Sequence, residues 1–297
     1  MTLDRPKRPP LLGPALLGAA VALILMGERR RPLRERTQPA ARRIAGNLVL
    51  GGLALATVAL IEGPVVRPLA ARAERRRVGS IQRLRAPAWV RDVLAFLLMD
   101  YTVYLWHIGT HRIAFLWRFH LVHHVDLDMD ASTALRFHAA DLAISVPYRT
   151  LQVAAIGVSP RALAAWQGFF FLSVLFHHSN LRLPHSLERR LARVITTPRM
   201  HGIHHSTVRA ETDSNWSSGL SVWDHLHGTF RFDVPQAAIA IGVPGYRDPA
   251  ELTPGRSLAM PFGGERDAWG PSPHGAPVPL TRPLPARLSR MKPALRQ

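Results

Sequence analysis

The 297-residue chain has no cysteine. Disulfides and thiolate metal ligands are therefore excluded, the redox compartment stays open, and any bound metal must be held by histidine with help from Asp or Glu. The HExxH signature, which supplies the general base of a zinc hydrolase, is also missing, and that argues against a metal-dependent hydrolase. No dinucleotide or flavin fingerprint occurs, so electrons for any redox chemistry must come from outside the chain. Acids are scarce, with 20 Asp plus Glu against 38 Lys plus Arg, and the formal net charge is +18. No basic helix with interleaved aromatics accompanies that charge, so nucleic-acid binding is set aside.

What the chain has instead is apolar length and histidine. Hydrophobic residues make up 47% of the sequence, and the mean hydropathy of +0.02 is high for a chain this basic. The two populations must be segregated, with apolar runs separated by arginine-rich stretches, as in a polytopic membrane protein. Leu11 to Gly27 reads as a first span. It ends in GERRRPLRER rather than at a small-residue cleavage site, which favours a retained anchor. Ile44 to Ile61 reads as a second span, with Asn47 as its polar intruder, and Val90 to Trp106 as a third. Ala139 to Val158, broken by Pro147 and Arg149, and Leu163 to Phe176 are two further apolar segments around a turn at Gly157 and Pro160.

Arginine loops precede and follow the second span, the later one carrying Arg67, Arg72, Arg75, Arg76, Arg77, Arg83 and Arg85. A single crossing puts them on opposite faces, against the positive-inside bias. Either Ile44 to Ile61 is re-entrant, or the 64–87 loop is an amphipathic stretch on the opposite surface, where its arginines meet lipid headgroups; the sequence leaves both open. From Asn180 the character is soluble: Leu187 to Val194 reads as a basic amphipathic helix stopped by Thr197-Pro198. Beyond Arg247 the Pro and Gly content predicts a loosely ordered tail.

Of fifteen histidines, five lie between Asp100 and His124 in DYTVYLWHIGTHRIAFLWRFHLVHH. His107 and His111 are four apart, so on a helix they share one face, and His120, His123 and His124 do the same at three and four. One uninterrupted helix would turn the two sets roughly 220° apart, at about 100° per residue. Joint metal binding therefore requires a break near Phe115 to Phe119 or a separate second helix, although no Pro or Gly stands there. His201, His204 and His205 in MHGIHHS repeat the HxxHH spacing, and His177-His178 adds a doublet. Repetition beside apolar runs points to a metal cluster; a transporter would instead place its histidines along a path within the spans. Adjacent helical residues point about 100° apart. Only one of the doublet then faces the cluster, and the apolar stripe of Phe169, Leu172 and Phe176 favours His178.

With those residues in hand, the chain resembles the fatty acid hydroxylase and sterol desaturase superfamily of integral membrane oxygenases. The resemblance runs from about Val90 to Arg231 and rests on DYTVYLWHIGTHR, LWRFHLVHHVD, TALRFH, FHHSN, TPRMHGIHHS and DSNW through WDHLHGTFR. It implies an all-α fold of polytopic membrane helices with a cytosolic helical cap that carries a histidine-rich dimetal site. The expected organisation is membrane anchor spans and basic loops over 1–87, a catalytic domain over 88–235, and a Pro/Gly-rich tail over 236–297.

The resemblance further implies His107, His111, His120, His123, His124, His201, His204 and His205 as metal ligands, with His177 or His178 completing the middle motif. His138, followed by Ala139 and Ala140 where relatives show proline and an acid, is read as a supporting residue. Asp141, Asn180, Asp213 and Asn215 are candidates for the surroundings of the metals, and Asp126, Asp128, Asp130 and Asp213 for balancing their charge. His225 and His227 are read as packing residues. The implied cofactors are two iron ions, with zinc possible in purified protein, and dioxygen is the implied co-substrate. The implied reaction is hydroxylation or desaturation of a lipid C–H bond at the cytoplasmic face, fed by an external donor such as a ferredoxin-like protein or a haem or flavin reductase.

Overall fold

The computed structural model describes residues 12–264 and 266–269, and among these it is all-α, with only isolated β-bridges. Helix α1 covers Leu12–Arg30. Helix α2 (Ala40–Thr57), a π turn (Val58–Glu62) and α3 (Gly63–Arg76) then form one continuous rod. Pro64 and Pro68 have no N–H to give to the preceding turn, which accounts for the irregular hydrogen bonding where the π turn sits. The amphipathic stretch expected within 64–87 is helical over 63–76, continuous with α2, and carries its arginines to the end opposite Arg42 and Arg43. The continuous helix favours the second of the two alternatives, a stretch carried to the opposite end, over a re-entrant second segment.

Helix α4 spans Ala88–Arg112 and α5 spans Ala114–His124. The break expected near Phe115 to Phe119 falls earlier, at Ile113, whose backbone is extended (φ −98°, ψ 112°). No helix-breaking residue causes it. Burial of the histidine faces on both sides overrides local helix preference, while Ile113 and Phe115 stay exposed.

Helix α6 (Ala139–Ile156) contains Pro147 without breaking, contrary to expectation, and ends at Gly157 in the left-handed region (φ 76°). A Cβ at Gly157 would collide with the carbonyl of Val78, and Gly79 (φ 95°) faces it equally closely. Helix α7 (Pro160–His178) starts with Pro160 in its first turn and Ser159 as its cap, the hydroxyl accepting from Ala162 N–H at 3.0 Å.

Helices α3, α4, α6 and α7 bury a common core of Val66, Met99, Val103, Val153, Ile156 and Trp166. Outside that core, Leu16, Leu23, Leu48, Leu53 and Leu60 stay exposed on α1 and the rod, an apolar surface that suits lipid rather than water. Among the described residues two helical stretches, Ala40–Arg76 and Ala88–Arg112, are long and apolar enough to cross a membrane.

The cap is built from short helices: α8 (His185–Leu191), α9 (Pro198–His204), α10 (Arg209–Thr212), α11 (Val222–His227) and α12 (Pro254–Ala259). Thr197-Pro198 opens α9 rather than closing α8, because proline is well placed in a first helical turn. The tail is also more ordered than its composition predicts. Ile239 and Ile241 pack with Met129 and Ile203, while Val243, Tyr246 and Ala268 pack on Leu121 and Val125. Arg136 donates to Ser257 Oγ at 2.9 Å, which ties α12 to the histidine region. The remainder of the expected tail, 270–297, lies outside the described residues.

Candidate metal centre

Four elements converge at one end of the helical body. The end of α4 brings His107 and His111; α5 brings His120, His123 and His124; the end of α7 brings His177 and His178; and α9 with the residue after it brings His201, His204 and His205. All but His111 are buried.

Their ring nitrogens gather into groups whose members lie within 4.8 Å of one another: His107, His111, His120 and His124; His123, His178, His201 and His205; and a bridging set of His124, His204 and His205. His178 falls inside the second group. His177 falls outside all three and packs against His201 with the rings tilted by 55° and 4.0 Å between their centres.

Hydrogen bonds fix which nitrogen is free. His107 Nδ1 faces the carbonyl of Trp216 at 2.7 Å, His123 Nδ1 that of Arg136 at 3.2 Å, His178 Nδ1 that of Val174 at 2.8 Å, and His204 Nδ1 that of Ser214 at 2.9 Å. A carbonyl only accepts, so each Nδ1 carries the proton and each Nε2 presents a lone pair. His120 follows the same pattern with Asp141 Oδ2 at 3.4 Å.

The ring nitrogens then converge, and for His123 and His178 the facing nitrogens both present lone pairs. His178 Nε2 stands 3.0 Å from both His123 Nε2 and His201 Nε2. Nε2 of His111, His120, His124 and His204 is buried with no partner at all. Buried acceptors without donors are costly, and converging lone pairs repel. A cation at each focus removes both penalties, so the donor set fits bound metal.

Burial pushes the pKa of His123, His124, His201 and His205 well below the ordinary histidine value, and neighbouring imidazoles lower it further. His204 is pushed down to about 3, chiefly by burial. Neutral imidazole is the ligand-competent form.

The acids divide unevenly. Asp141 alone reaches a clustered histidine. Asp126 pairs with Arg43 at 2.9 Å and accepts from Asn47 and Thr133, both also at 2.9 Å. Asp128 accepts from the Thr37 and Gln38 backbone, and Asp130 caps the turn at Ala131–Leu135. Asp213 pairs with Arg112 at the surface, at 3.3 Å. All four are held in structural ion pairs and caps, and of them Asp126 also acts on a clustered histidine, favouring the charged form of His178 through space. Asn47, the polar intruder of the second span, is used for hydrogen bonds: it donates to Asp126 Oδ2 and Ser132 Oγ and accepts from Arg136 Nη1.

Asn180 accepts from Arg34 N–H and donates to Arg34 O, which pins the chain between α1 and α2. Asn215, left-handed at φ 52°, donates to the carbonyls of Met200 and Arg231. His138 caps α6 through Nδ1 and donates from Nε2 to Leu258 O, so both its nitrogens are used away from the cluster. His225 stacks on Phe230, and His227 stacks on Tyr101.

Three residues that matter here carried little or no signal of their own. Trp216 gives the carbonyl to His107 and packs its ring on His111 and His204, at 4.7 and 5.2 Å between centres. Asp224, fully buried, accepts from the Trp216 and Ser217 N–H groups and from Thr229 Oγ1, and so sets that loop. Asp100, buried on α4, accepts from Leu220 N–H and Trp223 Nε1. The runs DSNW and WDHLHGT contained two of them, but nothing in their spacing assigned a role.

A cavity of about 360 Å³ opens beside the histidines. His107, His120, His123, His178 and His201 line one end, and Val103, Trp106, Leu135, Phe137 and Phe170 are among its walls.

Comparison with known proteins places this geometry. A fatty acid hydroxylase family model matches residues 93–229, which hold all ten clustered or neighbouring histidines. An ornithine lipid hydroxylase of Rhizobium tropici is 28% identical over 190 residues, covering 63% of this chain and 55% of the relative. The human alkylglycerol monooxygenase is 30% identical over 137 residues, 46% of this chain and 29% of the relative. The mouse cholesterol 25-hydroxylase is 24% identical over 153 residues, 50% of this chain and 50% of the relative. The chain thus spans about half, or less, of the length of these relatives. No solved structure matches it.

Proposed function

The chain belongs to the fatty acid hydroxylase and sterol desaturase superfamily, and on that premise we propose that it is a membrane-bound oxidoreductase that oxidises a C–H bond of a lipid with dioxygen. The observation that carries the reading is the pair of four-histidine foci, with lone pairs turned inward, at the end of an apolar cavity. The eight motif histidines together with His178 hold two iron ions, and His177 packs beside them. Bound there, the irons supply the activation of dioxygen needed to attack an unactivated C–H bond.

The rest is the work of the chain. The carbonyls of Trp216, Arg136, Val174 and Ser214 hold the proton on each Nδ1 and keep Nε2 free. Asp141 holds the His120 proton and offsets part of the cationic charge that an all-imidazole shell leaves. The cavity walls exclude water and lay an alkyl chain against the histidine end. Hydroxylation is favoured over desaturation, since the relatives named above are hydroxylases and monooxygenases.

The exposed apolar band supports an integral, multi-pass placement with the cap on the cytoplasmic side. The electron donor is a separate acidic protein, which docks on the basic cap surface around Arg189, Arg190 and Arg193. Metal analysis of the purified protein tests the site: two iron ions per chain are expected, and loss of metal in His123→Ala and His204→Ala with unchanged membrane insertion. Full occupancy in both variants contradicts the assignment.

A further inference from the structure

The cavity beside the histidines is not apolar throughout. Glu62, Arg67, Arg149 and Gln167 also line it. Arg149 lies eight residues beyond Asp141 on α6, so its backbone is about 12 Å along the helix from the level of His120. Gln167 lies eleven residues before His178 on α7, about 16 Å away by the same rise. The polar group therefore occupies the end remote from the histidines.

Arg149 is half-buried with its guanidinium over the Trp166 ring, 4.5 Å from the ring centre. Nη1 donates to Gln152 Oε1 at 2.6 Å, while Nε is buried without an acceptor. Among the described residues no carboxylate comes within ion-pair distance of it. Buried Glu62 shares the cavity without closing that gap.

A guanidinium between apolar helices costs desolvation that a neutral amide and one aromatic face offset only in part. Two guanidiniums and one carboxylate line this end, which leaves a single positive charge for a ligand to balance. Arg149 also has donors to spare in the fork geometry that suits carboxylate and phosphate.

We propose that the remote end of the cavity is a headgroup site, in which Arg149 binds the oxyanion of an amphiphilic substrate, a carboxylate or a phosphate, while the alkyl chain runs to the histidines. Arg149 is then a specificity-determining residue: by fixing the headgroup it selects which carbon, about 12 Å away along the helix direction, reaches the oxidising end. The inference deepens the proposed function and rests on reading this cavity as the substrate channel.

Equilibrium binding to the purified full chain in neutral detergent tests it, with a long-chain fatty acid, the alcohol of equal length and the matching alkyl phosphate as probes. Wild type is expected to bind at least one anion about tenfold or more tighter than the alcohol, the scale of one charge-assisted hydrogen bond. Whichever anion is preferred identifies the headgroup. Arg149→Gln is expected to erase the preference while leaving alcohol binding unchanged, and Arg149→Lys to keep part of it. No preference in wild type, or a preference that survives Arg149→Gln, overturns the proposal.

If Arg149→Gln does not fold, Glu62→Gln decides: removing the negative charge should strengthen the preference for the anion, and an unchanged preference overturns the site. The binding result is separable from the reaction. Arg149-dependent anion binding without any oxidised lipid in cells keeps the headgroup site and defeats the oxidase reading; oxidised lipid without anion preference does the reverse.

Discussion

His123 and His178 approach each other through Nε2 at 3.0 Å, and each ring gives its Nδ1 proton to a backbone carbonyl, of Arg136 and Val174 respectively. Neither nitrogen at the contact has a proton to share, so the pair calls for a third group between them, and a cation meets that need. His177, one residue away, has no place in that focus. Separate His178→Ala and His177→Ala variants are therefore expected to differ. The first should lose metal and product, and the second should keep most of its metal. The reverse pattern in elemental analysis contradicts the assignment.

Asp141 sets the tautomer and orientation of His120 from 3.4 Å. Removing such a partner typically lowers metal affinity about 10- to 100-fold. Asp141→Ala should show a drop of that size in a metal-competition titration, with unaltered helix content. An unchanged affinity means that His120 is oriented by packing alone.

Asp126 is the hub that ties the start of α2 to the segment after α5, through Arg43, Asn47 and Thr133. Asp126→Ala leaves the buried Arg43 with fewer partners, and breaking a buried pair costs about 3–5 kcal/mol. A fall in melting temperature is expected for the detergent-solubilised protein, with Asp126→Asn milder. No shift in either variant would show that Asp130 alone satisfies Arg43.

The absence of cysteine makes topology directly measurable. Leu226 and Val194 are exposed on the cap, and Leu84 is exposed near the far end of the helical body. Leu226→Cys and Val194→Cys should react with an impermeant thiol reagent from the cytoplasmic side, and Leu84→Cys from the other. Labelling of all three from one side contradicts the crossing of α4.

The histidine spacing made much of this legible before any fold was known, because three- and four-residue repeats put ligands on one helical face whatever surrounds them. The bend that brings His111 and His120 together was legible only as a requirement. Its position at Ile113 is set by tertiary burial, which no Pro or Gly announces. Within 64–87 the amphipathic stretch was legible as one of two alternatives, but its continuity with the second span through Arg76 was masked by arginine density and by Pro64 and Pro68. Sequence proximity to His124 says nothing of where a buried carboxylate turns, and Asp128 and Asp130 turn to the Thr37 and Gln38 backbone and to Arg43 instead. The carbonyls of Trp216 and Ser214 had no signal at all, since backbone acceptors are common to every residue. Packing of Ile239, Ile241 and Val243 against the histidine helices was hidden by their short, aperiodic runs.

The central claim is lipid oxidation at the histidine end of the cavity, and intact-lipid mass spectrometry of cells grown under isotopically labelled dioxygen tests it most directly. Cells expressing the protein should accumulate a lipid heavier by one labelled oxygen atom, and cells expressing His204→Ala at the same membrane level should not. A lipid profile that is identical in the two, or a product whose added oxygen is unlabelled, contradicts the account.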